Sequence, residues 1–167
     1  FYERLGTRLK RDEVRCLELA PAEQVASWDE ECRMPDPRRP GYAKTVDTFI
    51  DELPRMHAAG IRLLISPGSG PYIVPGAGYA EEVALLARSG LSPRELLRAA
   101  TSNAAASLGV EDITGRVAVG HRADLVLLDR DPLGDATAFE HVSGTVLAGR
   151  VVDHDALRST IDRALGR

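Results

Sequence analysis

The chain has 167 residues, with 21 Lys+Arg against 25 Asp+Glu and a formal net charge of −4, enough for one domain with a core, or one domain and a piece of another. Its 44% hydrophobic and 28% charged residues make a globular balance, and the negative charge argues against nucleic acid and against an anionic membrane as partners. No apolar run approaches the roughly 20 residues of a membrane helix, the N-terminus FYERLGTRLKRDE is too polar for a signal peptide, and Cys16 and Cys32 have neither metal nor disulfide spacing, which reads as free thiols in a reducing, cytoplasmic setting.

The first residue is Phe1 rather than Met, which reads as a chain trimmed, processed or cut from something longer. A helix is predicted from Arg11 to Leu19. Pro21 suits the first turn of a second helix, Ala22 to Cys32, where its missing N–H does no harm. Trp28 in that helix reads as a packing residue. Met34 to Gly41, MPDPRRPG, is predicted to be a loop; Arg38 and Arg39 there read as a solvated pair. A longer helix follows from Tyr42 to Ala59. Val46, Phe49, Ile50, Leu53 and Met56 keep its period and mark a buried face. Pro54 predicts a kink or break near Leu53, and Gly60 ends the helix. His57, one turn from that end, reads as structural or exposed.

Ile61 to Ser66 is a short apolar run that breaks into the Pro/Gly loop SPGSGPYIVPGAG. Its length and flanking turn residues predict a buried parallel strand. In α/β architectures the loop after the C-terminal end of such a strand is where chemistry is usually placed. Here that tip reads Ser66-Pro67-Gly68-Ser69-Gly70, with no carboxylate, His or Cys. A helix is predicted from Tyr79 to Ser89, with Val83, Leu85 and Leu86 apolar, closed by Gly90. Ser92-Pro93-Arg94-Glu95 is the start of another: Ser as N-cap, Pro at N1, Glu at N3 of a capping box. That helix directs Leu96, Leu97 and Ala100 inward and runs through Thr101-Ser102-Asn103 into a small-residue turn, AAASLG, whose alanines suggest close backbone packing. From Val110 the composition turns to β. Strands are predicted at Arg116 to Val119 and Ala123 to Asp129, a turn at Asp131 to Gly134, and a hairpin from Gly144 to Val152 turning at Ala148-Gly149. A charged helix closes the chain from His154 to Leu165.

Three blocks carry a family resemblance: HAAGIRLLISPGSG with VPGAGYAEEVALLARSGLSP; ELLRAATSNAAASLGVED; and GRVAVGHRADLVLLDRDPL with VLAGRVVD. Together they resemble the C-terminal part of a metal-dependent amidohydrolase of the imidazolonepropionase-like and Xaa-Pro-dipeptidase-like kind, over about His57 to Asp153, the third block being the most specific. Residues 1 to 56 match only loosely. The resemblance implies an α/β fold, the C-terminal part of a (β/α)8 TIM-type barrel plus part of an appended small β-sandwich. Residues 1–109 would be partial barrel, with the last strand at 61–66, residues 110–153 the β unit of the composite sandwich, and 154–167 a C-terminal helix. It further implies hydrolysis of a C–N bond of a small-molecule substrate at a divalent metal of the zinc type, which activates a water while a carboxylate takes the proton.

The sequence departs from that pattern. Its histidines are His57, His121, His141 and His154, with no HxH pair. Ser66, Pro67 and Gly68 occupy the family's Gly-Thr-Asp positions, so Gly68 stands where the resemblance places the catalytic Asp. Glycine supplies neither ligand nor base. No catalytic residue and no metal or other cofactor is therefore expected within this chain, and Asp124 and Asp129, flanking a strand of the β unit, do not replace the missing group. Ser66, Ser69, Glu82 and Asn103 are the candidates for lining the pocket mouth. Glu82 opens the post-strand helix and Asn103 is placed to hydrogen-bond backbone behind the last strand. A structural role is the favoured reading for all four. Three functional readings stay open: part of an amidohydrolase that is inert alone, a catalytically inactive remnant acting as an interaction module, and a binding module whose glycine-rich loop meets a small anion. A single strand cannot close a barrel, so either a missing N-terminal half or self-association is expected to cover it.

Overall fold

The structure is a computed structural model that describes residues 14–33, 39–68 and 70–166. A 3-10 turn at Leu17–Leu19 replaces the helix expected there, of which residues 11–13 lie outside the described residues. Cys16 enters the turn in the left-handed region, and Ala20 leaves it extended. Ala20 precedes Pro21, whose ring disfavours a helical residue before it. The first α-helix, α1, spans Ala22–Arg33, and the Pro21 carbonyl accepts from Val25 N–H at 3.0 Å.

Helix α2, Arg39–Ala58, begins within the stretch expected to be a loop, whose residues 34–38 lie outside the described residues, and it continues unbroken through Pro54. The early start suits Pro40, whose missing N–H falls in the first turn. It ends in a Schellman arrangement. Gly60, left-handed at φ 83°, donates to the His57 carbonyl at 2.9 Å, and Ile61 N–H reaches the Met56 carbonyl at 3.0 Å. Ile50 is buried as expected, but Phe49 is 61% exposed and does not belong to the packed face.

Ile61 to Ser66 runs extended, yet it is not a strand, because no neighbouring chain pairs with it among the described residues. A strand is defined by its ladder, and here helices supply the bonds instead. Ile65 N–H donates to the Ala99 carbonyl at 3.3 Å, and Asn103 Nδ2 donates to the Leu63 carbonyl at 3.0 Å. The side chains still alternate, with Ile65 buried and Leu64 exposed. Helix α3 follows at Ala77–Ala87. Its Gly78 has no room for a side chain, since a Cβ would stand 2.7 Å from Ile73 Cγ2. Helix α4, Pro93–Ala100, opens with the expected capping box, both halves formed. The expected turn after it is a helix, α5, Ser102–Leu108. Alanine is the best helix former, and three consecutive alanines outweigh the Ser-Asn start. Those alanines do admit close backbone: a Cβ on Gly115 would lie 2.5 Å from Ala105 Cβ.

Three short strands form an antiparallel sheet in chain order: β1 Leu125–Leu128, β2 Val142–Leu147 and β3 Arg150–Val151. Leu125 faces Val146, Leu127 faces Gly144, and the register slips between Leu127 and Leu128. Ala148 and Gly149 turn the β2–β3 hairpin with φ of 50° and 78°, the left-handed pair of a type I′ turn. Arg116 to Val119 is not a strand among the described residues. No strand pairs with it among the described residues, and Val117 and Val119 are 87% and 106% exposed. A 3-10 segment, Ala136–Glu140, capped by Asp135, joins β1 to β2. The last helix, α6, is His154–Ala164, capped by Asp153 through Ala156 N–H at 2.9 Å.

Two apolar clusters hold these pieces. Val14, Trp28, Tyr72 and Val74 join α1 to the loop before α3, with Trp28 and Tyr72 rings 5.6 Å apart. Ile65, Val83 and Ala99, with Leu63, Tyr79, Leu86, Ala136 and Phe139 around them, join the extended segment, α3, α4 and the 3-10 segment. The β unit is thereby tied to the helices that carry the tip. No helix among the described residues is long and apolar enough to cross a membrane.

Candidate functional site

Helix α3 carries Glu82, and the Ser66 backbone N–H near its carboxyl favours the charged form. Burial pushes the Glu82 carboxyl above the ordinary carboxylate range, and the Ser66 N–H opposes that shift without cancelling it. Its Oε2 is buried with no hydrogen-bond partner among the described residues. Tyr79, one turn earlier on α3, is pushed up to about 12 by burial and then by the Glu82 charge, and its hydroxyl donates to the Ala100 carbonyl at 3.3 Å.

Ser66 is exposed at the tip. Gly68 is left-handed at φ +70°, and a Cβ built on it would meet nothing within 4 Å. Ser69 lies outside the described residues. Asn103 is not at the tip; it makes its bond to Leu63, behind the segment. Of the candidates among the described residues, Ser66 and Glu82 lie near each other, and Asn103 bonds elsewhere. Tyr79 was not among the sequence candidates. Its signal was the spacing of three residues to Glu82, which puts both on one side of a helix.

The remaining titratable groups serve the framework. His57 Nε2 pairs with Glu95 Oε1 at 2.8 Å, linking the end of α2 to the start of α4. Glu95 Oε2 also takes the Ser92 N–H and hydroxyl, each at 2.6 Å. The Ser92 hydroxyl and backbone N–H, then His57, hold the Glu95 carboxyl below its usual range. Asp124 accepts from Ala148 N–H at 2.8 Å and pairs with Arg122, which holds its carboxyl low; it braces the hairpin turn. Asp29 takes the Tyr72 hydroxyl.

No group of three or more His, Cys, Asp or Glu side chains converges among the described residues. At the tip itself, among the described residues, the donors are the Ser66 hydroxyl and the Glu82 carboxyl. That set does not fit a divalent metal, which takes several oxygen, nitrogen or sulfur ligands at once, and no step is derived through one. What the arrangement offers is an exposed hydroxyl, a glycine turn and a half-buried carboxyl.

An apolar segment, a glycine-rich tip and the helix behind it form a compact α/β unit. The chain belongs to the Amidohydrolase family, whose model matches residues 8–152. It is 45% identical over 60 residues to an imidazolonepropionase of Rubrobacter xylanophilus, covering 33% of this chain and 14% of that protein. Among solved structures it is similar to a prolidase-type protein of Bifidobacterium longum, with a TM-score of 0.62 and 33% identity over 76% of this chain and 34% of the other. It is also similar to a bottromycin amidohydrolase, with a TM-score of 0.69 and 26% identity over 99% of this chain and 37% of the other. The chain thus spans about a third of the length of these solved structures.

Proposed function

We propose that the protein's complete fold hydrolyses C–N bonds, of amides, cyclic amides or dipeptides, in a metal-dependent reaction, and that this chain supplies the last barrel unit without hydrolysing anything alone. Family membership supports the reaction class, and the names of the relatives support a small-molecule substrate. The observation that carries the second half is the tip: Ser66, Pro67 and Gly68 provide no base and no metal-binding set. The metal ligands would come from segments that this sequence does not contain. The β unit, with Val126 on one face and Leu127 on the other both exposed, suits one half of a small sandwich whose other sheet lies elsewhere in the protein. A sheet of this size needs an apolar face covered to be stable.

A second reading is favoured by Gly68 alone: an inactive family member acting as an interaction module. Divalent-metal content separates the two. Protein expressed from the full reading frame holds at least one metal ion per chain on the first reading and none on the second. Restoring the carboxylate with Gly68→Asp is compatible with the local structure, since the position is open and Asp tolerates the left-handed region better than most residues.

A further inference from the structure

We infer that Tyr72 is a strained clasp: it holds the loop that follows the tip against α1, and residues 70–76 open as a unit, apart from the rest of the fold, when its ring leaves Trp28 and its hydroxyl leaves Asp29.

Gly70-Pro71-Tyr72-Ile73 is a tight turn, with Ile73 N–H donating to the Gly70 carbonyl at 3.1 Å. Pro71 stands at its second position and Tyr72, at its third, has φ 60°, the pattern of a type II turn. Glycine or asparagine suits that third position, because a Cβ crowds the backbone at positive φ. A bulky aromatic residue there is an outlier. The other non-glycine residues with positive φ among the described residues, Cys16 and Ala148, are exposed, whereas Tyr72 is buried. Such a conformation lasts only where its surroundings impose it.

Those surroundings belong to α1. The Tyr72 and Trp28 rings lie 5.6 Å apart, tilted by 50°, within the range of a favourable aromatic pair. The Tyr72 hydroxyl donates to Asp29, the next residue of the same helix. Val74 joins Tyr72 and Trp28 in one apolar cluster, while Ile73, between them in sequence, lies against Gly78 of α3. Turn chemistry and tertiary contact therefore oppose each other at one residue: the turn favours glycine and the helix favours tyrosine. The cluster around Ile65, Val83 and Ala99 shares no residue with this one among the described residues, so parting the loop from α1 leaves it intact. Gly76, left-handed at φ +85° with open space where a side chain would be, is the hinge into α3. That the loop borders a site rests on the functional reading above; that it is clasped does not.

Native-state amide exchange of the 167-residue chain, with acrylamide quenching of Trp28, its one tryptophan, tests this without any activity. Leu96, 1% exposed with its N–H on the Ser92 carbonyl at 3.1 Å, is the reference for the rest of the fold. In the unsubstituted chain Ile73 is expected to exchange at least roughly tenfold faster than Leu96, relative to their intrinsic rates. Tyr72→Phe keeps the ring and loses the bond to Asp29; it should speed Ile73 by a further factor of roughly ten, leave Leu96 unchanged and make Trp28 easier to quench. Tyr72→Gly gives the turn the residue it favours, yet with the clasp gone it should speed Ile73 more than Phe does. A turn that holds itself would exchange more slowly with glycine. Ile73 unchanged or slowed in Tyr72→Gly overturns the inference. So does equal exchange at Ile73 and Leu96 in the unsubstituted chain, or a Tyr72→Phe variant in which both change together or neither changes. Metal content and hydrolysis, which decide the functional reading, do not enter this measurement, so the two fail separately.

Discussion

Replacing Asn103 by Ala removes a side-chain hydrogen bond between α5 and the extended segment, Asn103 Nδ2 to the Leu63 carbonyl at 3.0 Å. Leu63 and Asn103 are both only partly exposed, so water does not fully replace the lost donor. A neutral hydrogen bond contributes about 0.5–1.5 kcal/mol, and stranding a half-buried carbonyl adds part of its desolvation penalty, giving about 1–2 kcal/mol in all. For a chain of this length that lowers Tm by roughly 2–8 °C. Asn103→Asp is the sharper probe. A carboxylate cannot donate, and it would face the Leu63 carbonyl, so it should cost more than Ala at neutral pH and approach Ala once protonated. Urea unfolding gives the free energies, and amide exchange at Ile65, whose N–H bonds to Ala99 at 3.3 Å, reports whether the segment loosens locally. A loss below about 0.3 kcal/mol for Asn103→Ala, with Asp no worse than Ala, would refute the view that α5 holds this segment in place.

Glu95→Ala opens the α4 capping box and releases His57, and should cost about 1 kcal/mol at neutral pH; thermal unfolding checks it. Because the Glu95 carboxyl is held low, its contribution is present above the unfolded value near 4.5 and fades as pH falls through the folded one, so wild type and variant should converge in acid. Glu82 has the opposite sign. Its folded value is raised, so the associated stability is present below the unfolded value and lost as pH rises through the folded one, and Glu82→Gln should stabilise the chain at neutral pH relative to wild type. Gly115→Ala, with a Cβ 2.5 Å from Ala105 and φ of +88°, should destabilise by at least about 2 kcal/mol in chemical denaturation. The isolated chain should bind a hydrophobic dye or self-associate through its uncovered β unit; a cooperative, dye-free monomer in sedimentation would contradict that.

The helices were legible because their signals are local. Ser92 and Glu95 announce α4, and the apolar spacing in α1 and α2 survives in the fold, as does the hairpin turning at Ala148-Gly149. Strands were legible only as candidates. Ile61 to Ser66 and Arg116 to Val119 have the right residues, but a strand exists when a neighbour pairs with it, and no pattern within the segment reports the neighbour. Phe49 failed for a related reason: periodicity marks an apolar stripe, not whether something lies against it. The tip was read from the residues it lacks. What stands beneath it, a Glu82 carboxyl with its Oε2 buried, depends on how α3 is seated, which neither the spacing nor the composition of the sequence encodes. Tyr72, left-handed at φ 60° with its hydroxyl on Asp29, was hidden in the same way.

The most direct measurement is amide hydrolysis by two preparations at equal molarity, the 167-residue chain and the protein from the complete reading frame, each supplied with zinc and assayed on dipeptide and cyclic-amide substrates. The account predicts turnover by the complete protein and none by the chain. Hydrolysis by the 167-residue chain alone would contradict it, because a tip with glycine at position 68 and no converging ligand set would then be catalysing the reaction by itself.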